Sequence, residues 1–290
     1  METSSIKAEK EKNRVALSSV IAAVLLTVFK LIVGFSTNSL GILSEAAHSG
    51  LDLIAALVTF FAVIYAAKPA DEDHHFGHGK TENLSALFET VLLLITCIWI
   101  IYEVYERITG KNVAVEVNIW SFIVVIVSIV VDITRSTALK RVAKKYNSQA
   151  LEADALHFSS DIYSSAVVLI GLAGYLSGFH YADSVAALIV AIIVIAISLR
   201  LGKRTIDVLM DKAPEGIKEK IEDIVSSIPE VRTVHDIRIR NSGADILIEL
   251  NIHVDPEMNI NKAHEVSHKV EDSIQAEINQ SRVVVHAEPA

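Results

Sequence analysis

The chain has one cysteine in 290 residues, Cys97, and it lies inside an apolar run. That excludes an intrachain disulfide. Basic charge is also in short supply. There are 26 Lys and Arg against 35 Asp and Glu, a net charge of −9, which counts against a nucleic-acid partner. Low-complexity tracts are absent, and no small-residue cleavage site follows the first apolar run. That run therefore reads as a retained membrane span, not a signal peptide. What the chain has in abundance is apolar surface. Hydrophobic residues make up 51%, and the mean hydropathy is +0.43. This is too apolar for an ordinary soluble domain and predicts a membrane protein with a soluble portion.

Six apolar segments are long enough to span a bilayer, which takes about 20 residues. They run roughly Val15–Phe35, Ile42–Ala67, Leu84–Tyr105, Ile119–Ser136, Ala155–Phe179 and Ala182–Leu201. The fourth is the weakest, since Asp132 and Arg135 sit near its end. These two read as an interfacial pair at i, i+3. Basic residues set the orientation. Lys7, Lys10, Lys12 and Arg14 precede the first span, and Lys68 and Lys80 follow the second. Arg135, Lys140, Arg141, Lys144 and Lys145 follow the fourth, and Lys203, Arg204 and Lys212 the sixth. The opposite loops offer only Arg107 and Lys111, and His180 in one of them is read as neutral. Both termini are therefore expected in the cytoplasm, in a multi-pass protein of the cell or inner membrane.

After Lys212 the pattern changes. Pro214 opens a helical repeat of Ile217, Ile221, Ile224, Val225 and Ile228. "VRTVHDIRIR" and "DILIELNIHVD" alternate around the turn "NSGAD", which predicts a hairpin. A helix, "NINKAHEVSHKVEDSIQAEI", and a last strand, "SRVVVHAE", follow. The expected division is a six-helix membrane domain, 1–212, and an αββαβ domain, 213–290, which forms a small open α+β sandwich.

Charged residues inside the spans carry the functional signal. An ionisable group at the bilayer centre costs a few kcal/mol even on lenient insertion scales. Span two places His48 and Asp52 at i, i+4, on one helix face. Span five repeats the spacing with His157 and Asp161. Two imidazoles and two carboxylates make a tetrahedral set for a borderline divalent ion such as Zn²⁺. The alternatives are four residues satisfied by interhelical hydrogen bonds, or haem held by the two histidines. Haem has no need of a carboxylate one turn from each. Lys30, Glu45, Glu89, Asp132 and Asp154 are further polar residues within the spans. Asp154 shares the face of His157, in a second shell or on a proton path. Lys30 either pairs inside the bundle or snorkels. Between spans two and three, "KPADEDHHFGHGK" is a loop rich in acids and histidines. It is either a weak metal site or a solvated polar loop.

With these segments together, the sequence resembles the cation diffusion facilitators. The likeness covers nearly the whole chain and rests on "HSGLD", "EADALHFSSD", "PADEDHHFGHGKTE", "VHDIRIR", "NKAHEVSHKVE" and "VVVHAE". It implies a homodimeric, six-span, proton-coupled exporter of divalent metal with a ferredoxin-like or metallochaperone-like cytoplasmic domain, and no enzyme. It implies that His48, Asp52, His157 and Asp161 form the transport site. It also implies a loop site of Asp71, His74 and His78, and pairing of Lys80 with an acid after span six, here Asp211. In the terminal domain it implies metal positions at His235, His264, His286 and Glu288. One departure is plain. The family often has histidine where Asn251 stands, and His253 lies one alternation further along the strand, about 6.6–6.8 Å away on the same face. One metal per protomer is expected there, not two. His268, one turn after His264, reads as solvated.

A His–Asp–His–Asp set is similar to zinc-selective members, and a second imidazole favours Zn²⁺ over Mn²⁺. The expected partners are divalent metal, protons, lipid and a second copy of the chain, with no cofactor beyond the metal. Protons arriving from outside would displace the metal from the imidazoles, whose ordinary pKa is about 6.5. The competing readings are an exporter of Mn²⁺, Fe²⁺, Co²⁺ or Cd²⁺ on the same architecture, and a metal sensor that transports nothing. The sensor reading lacks any kinase, DNA-binding or other output module in the sequence.

Overall fold

The computed structural model describes residues 2–37, 40–109, 119–176, 182–243, 245–278 and 280–290. Lys111 and His180 lie outside the described residues, as do the side chains of Glu45 and Arg107. The chain is an α-helical membrane protein with a C-terminal α+β unit. Six long helices come first: α1 (Glu2–Thr37), α2 (Leu40–Ala66), α3 (Thr81–Ile108), α4 (Ile119–Tyr146), α5 (Gln149–Leu176) and α6 (Ala182–Leu209). Among the described residues, four stretches are long and apolar enough to cross a membrane: Lys7–Thr37, Ala46–Ala66, Thr81–Glu106 and Phe122–Tyr146.

The helices pack as lipid-embedded helices do, with small residues inside and large apolar ones outside. Ala16, Ala23, Ala55, Ala56, Ala86 and Ala155 are buried, while Leu25, Ile32, Phe35, Ile98 and Trp99 are exposed. α4 continues past Ser136 through a basic stretch that ends the apolar segment in sequence. Its inner face explains this. Leu139, Val142 and Ala143, at helical spacing, pack on Ala150, Leu151, Ala155 and Phe158 of α5. Lys140, Arg141, Lys144 and Lys145 take the open faces. α6 packs on α3 and α5, with Leu201 against Ala86 and Ala153, and Val194 against Leu93 and Cys97.

The described residues divide into two compact units, 1–68 with 81–205, and 69–80 with 206–290. The loop after α2 thus belongs with the C-terminal unit. That unit contains α7 (Ile217–Ser226), β1 (Thr233–Ser242), β2 (Asp245–Val254), α8 (Ile260–Glu277) and β3 (Ser281–Pro289). The strand order is β1-β2-β3, with β1 antiparallel and β3 parallel to β2. A parallel neighbour needs a crossover, and α8 supplies it. One sheet face presents Ile248, Leu250, Ile252 and Val254 to Ile221 and Val225 of α7 and to Val266, Val270 and Ile274 of α8. Alternation turns Asn251 and His253 to the other face. At the hairpin tip, Gly243 has φ +63° and its backbone touches Gly79 of the loop. A Cβ on Gly79 would meet the Ser242 carbonyl oxygen at 2.7 Å, so this approach requires glycine.

Candidate metal centre

α2 and α5 each carry one His-x-x-x-Asp pair, and the two helices turn the pairs toward each other. His157 Nε2 lies 3.0 Å from Asp52 Oδ1 and 3.9 Å from Asp161 Oδ2. His48 Nε2 lies 3.8 Å from Asp161 Oδ1 and 3.9 Å from Asp52 Oδ1. Ligands held about 2.0–2.2 Å from a tetrahedral Zn²⁺ stand about 3.3–3.6 Å apart. His48, Asp52 and Asp161 offer one ligand atom each within 4.8 Å of one another, and His157 stands outside that group of three while lying 3.0 Å from Asp52, so closing all four on one ion requires side-chain movement. Asp52 and His157 are buried, and His48 is the most open of the four, its side chain 37% exposed. Two neutral imidazoles and two carboxylates carry −2, which a dication neutralises. Asp161 Oδ2 is buried with no hydrogen-bond partner among the described residues, an available lone pair in a place where such groups are costly to leave unpaired.

A polar network surrounds these ligands. Ser19 Oγ donates to Asp154 Oδ2 at 3.1 Å, and Arg135 Nη2 donates to Ser19 Oγ at 3.1 Å. Arg135 lies 3.7 Å from Asp132 and stacks on the Phe158 ring, 3.4 Å from its centroid. Asp132 and Arg135 are the expected i, i+3 pair, but both are buried in the bundle and not at an interface. Packing against α1 and α5 explains the difference: Ser19 and Phe158 receive the guanidinium. Lys30 is buried and donates to Ser49 Oγ at 2.8 Å, so it pairs inside the bundle. Glu89, fully buried, accepts from Thr59. A serine in an apolar helix, here one of the adjacent pair Ser18 and Ser19, gives no sequence signal of its partner, and the role of Ser19 was legible only from the structure.

In the loop, Asp71, His74 and His78 place one ligand atom each within 4.8 Å of one another. Asp71 Oδ1 accepts the backbone N–H groups of His74 and Asp73 at 2.7 and 3.1 Å, which fixes an Asx turn. His74 Nδ1 and His78 Nε2 lie 3.2 and 3.4 Å from Asp71. The His74 backbone bond, more than any other contact, holds the Asp71 carboxyl below its ordinary pKa, so it stays ionised at neutral pH. Lys80 Nζ is 2.7 Å from Asp211 Oδ1. Arg240 lies 3.7 Å from the same carboxylate and 4.1 Å from the Phe76 ring centroid. Lys80 holds the Asp211 carboxyl below its usual range.

On the open face of the terminal sheet, His235, His253 and Glu288 form a third group within 4.8 Å. The register accounts for it. Asn251 pairs with His235 on one side and His286 on the other, and His253 pairs with Glu288. Glu288 Oε2 lies 3.4 Å from His235 Nε2 and 3.5 Å from His253 Nε2, and Asn251 donates to Glu288 Oε1 at 3.1 Å. His286 is 3.6 Å from Glu288 and outside the group of three. His264 is not brought to it either. α8 covers the opposite sheet face, and His264 points outward beside His268. His253, offset by two residues from the expected position, takes the place beside the carboxylate. The period of the strand marked it: residues 251 and 253 share a face.

Comparison with known proteins assigns each part of the chain to a family model. Residues 16–210 match the family model for the cation efflux transmembrane domain. Residues 213–290 match the model for the cation efflux protein cytoplasmic domain. A cation-efflux pump FieF of Cronobacter sakazakii is 31% identical over 278 residues, 96% of this chain and 92% of that protein. The FieF pump of Serratia proteamaculans is 30% identical over 275 residues, 94% of this chain and 91% of that protein. Among solved structures, the cadmium form of a MamM CTD variant is 32% identical, covers 26% of this chain and 96% of that chain, and has a TM-score of 0.26.

Proposed function

This chain belongs to the cation efflux family, membrane exporters of divalent metal cations and not enzymes, and we propose that its cargo is Zn²⁺, moved out of the cytoplasm in exchange for protons. The observation that carries this reading is the convergence of His48, Asp52, His157 and Asp161 from two helices. Two imidazoles beside two carboxylates make a borderline set, which suits Zn²⁺ better than the all-oxygen sets preferred by Mn²⁺. In the inward-facing state the neutral histidines and the carboxylates take the metal. In the outward-facing state protons displace it, because a protonated imidazole has no lone pair for the ion. Six spans would leave both termini on one side of the membrane, and the basic residues at the termini and in the even-to-odd turns favour the cytoplasm for that side. The domain from 213 regulates transport and joins two copies of the chain, by analogy with the matched cytoplasmic domain.

Flux of competing metals into liposomes containing the purified protein tests the cargo. Zinc should outrun manganese, iron, cobalt and cadmium. His48→Asp should replace one nitrogen ligand with oxygen and raise manganese flux relative to zinc about tenfold, a harder set for a harder ion. An unchanged ranking would place selectivity elsewhere.

The sheet group of His235, His253 and Glu288 serves in this reading as a regulatory site. His253→Ala should weaken zinc binding there about 10–100-fold, and Asn251→Ala, which removes only the amide that steadies Glu288, by less. Titration of the full-length protein carrying Asp161→Ala isolates this binding from the transport site. Transport in the His235→Ala, His253→Ala double variant should slow without stopping. Complete loss of flux from that folded protein would show that the terminal site lies on the path of the metal.

A further inference from the structure

α8 buries Val266, Val270 and Ile274 against the sheet, which turns residues 264, 268 and 271 away from that apolar stripe. His264 and His268 stand at i, i+4, one above the other on the helix. Their Nε2 atoms are 3.1 Å apart and their rings meet edge-on, with centroids at 4.4 Å. His268 Nδ1 lies 3.0 Å from Glu271 Oε2, and the Glu271 side chain is only 23% exposed. A carboxylate can only accept, so Nδ1 of His268 carries the hydrogen. In the neutral ring that leaves the Nε2 lone pair directed at His264.

This is the arrangement that a metal-binding histidine needs. Ligating imidazoles commonly donate their remote N–H to a carboxylate, which fixes the tautomer and raises the basicity of the ligating nitrogen. The spacing agrees too. Two nitrogens at about 2.05 Å from a tetrahedral ion are separated by about 3.3 Å, against the 3.1 Å between these two. The helix therefore presents both nitrogens at chelating distance before any ion arrives, and little side-chain order remains to be imposed on binding.

We infer that His264 and His268 form a separate two-histidine site for a borderline divalent cation such as Zn²⁺ on the outer face of α8, with Glu271 as the residue that positions His268. Water completes the coordination, so the site exchanges quickly and fills only when metal is plentiful. It is distinct from the His235–His253–Glu288 group, which lies on the sheet face that α8 does not cover. The terminal unit would then have two metal-responsive positions, one on each side of its sheet.

The test is zinc protection of individual histidines from diethylpyrocarbonate in the full-length protein in detergent, read by mass spectrometry. With zinc at concentrations that saturate the transport site and above, His264 and His268 should be protected together. His268→Ala should remove the protection of His264, and His264→Ala that of His268, while His253 stays protected in both. Glu271→Gln should raise the zinc needed for half-protection about 10-fold, since an amide oxygen accepts the Nδ1 hydrogen less strongly than a carboxylate and the amide NH2 can instead donate to that nitrogen, favouring the other tautomer. Protection of His264 that survives His268→Ala would assign His264 to another site and overturn the inference. So would modification of His268 at the same rate with and without zinc. His264 and His268 are exposed and Glu271 is half-buried, outside the buried stripe, and unchanged circular dichroism of the variants excludes unfolding as the cause of lost protection.

Discussion

Asp161→Ala should reduce zinc flux into liposomes to background, a loss of more than about a hundredfold, in a protein that still folds. The reason is geometric. Asp161 on α5 lies within 4 Å of both histidine Nε2 atoms, and Asp52 has the same relation to them from α2. Removing either carboxylate leaves three ligands and one negative charge for a dication in a low-dielectric site. The site charge with metal bound then rises from neutral to +1, and an uncompensated charge at membrane depth is costly. Asp52→Ala should match Asp161→Ala. Folding should survive, because the helix contacts around the site run through alanines, Leu151 and Phe158, which neither change touches. Size-exclusion profiles and helical content of the variants check this. Full flux in Asp161→Ala protein would sink the assignment of the site.

The fold class and the two candidate His-x-x-x-Asp pairs were legible in the sequence because both depend on period. A charged pair repeated at i, i+4 in two apolar helices defines a face whatever the packing, and strand alternation defines the sheet faces. The residues that escaped sequence reading depend on contacts between helices. Arg135 reads as an interfacial charge until Ser19 of α1 and Phe158 of α5 are seen to receive it. α4 runs beyond its apolar stretch because Leu139, Val142 and Ala143 meet α5, which local hydropathy does not reveal. In the terminal domain, the family pattern pointed to His264 and His286 as companions of His235. The fold instead sets His253 beside Glu288 and turns His264 toward His268. Register and helix rotation decided this, and neither is written in residue spacing alone.

The second large effect concerns protons. Binding a dication to His48 and His157 requires both imidazoles to be neutral, so metal and protons compete for the same lone pairs. As the pH falls through the range where histidine gains a proton, metal affinity should fall about tenfold per pH unit for each proton displaced. The sign is fixed: acid on the receiving side promotes release, and acid on the donor side inhibits loading. Replacing both histidines by asparagine keeps the volume and a weak oxygen ligand but removes the titrating nitrogen. Residual zinc binding in that double variant should be nearly flat between about pH 5.5 and 7.5, because the remaining carboxylates have ordinary pKa values near 4. Equilibrium zinc binding at several pH values on wild-type and variant protein gives the comparison. A variant as steep as the wild type would move proton exchange off the histidines.

The central claim is exchange of one metal ion for protons, and its most direct measurement is zinc flux in liposomes clamped at zero voltage with an imposed pH gradient. A pH dye inside reports proton movement while a zinc indicator follows the metal. The account predicts that an acidic receiving side accelerates zinc entry, and that up to two protons leave for each zinc ion that arrives. Zinc entry at a rate indifferent to the gradient, with no proton movement in the opposite direction, would contradict it.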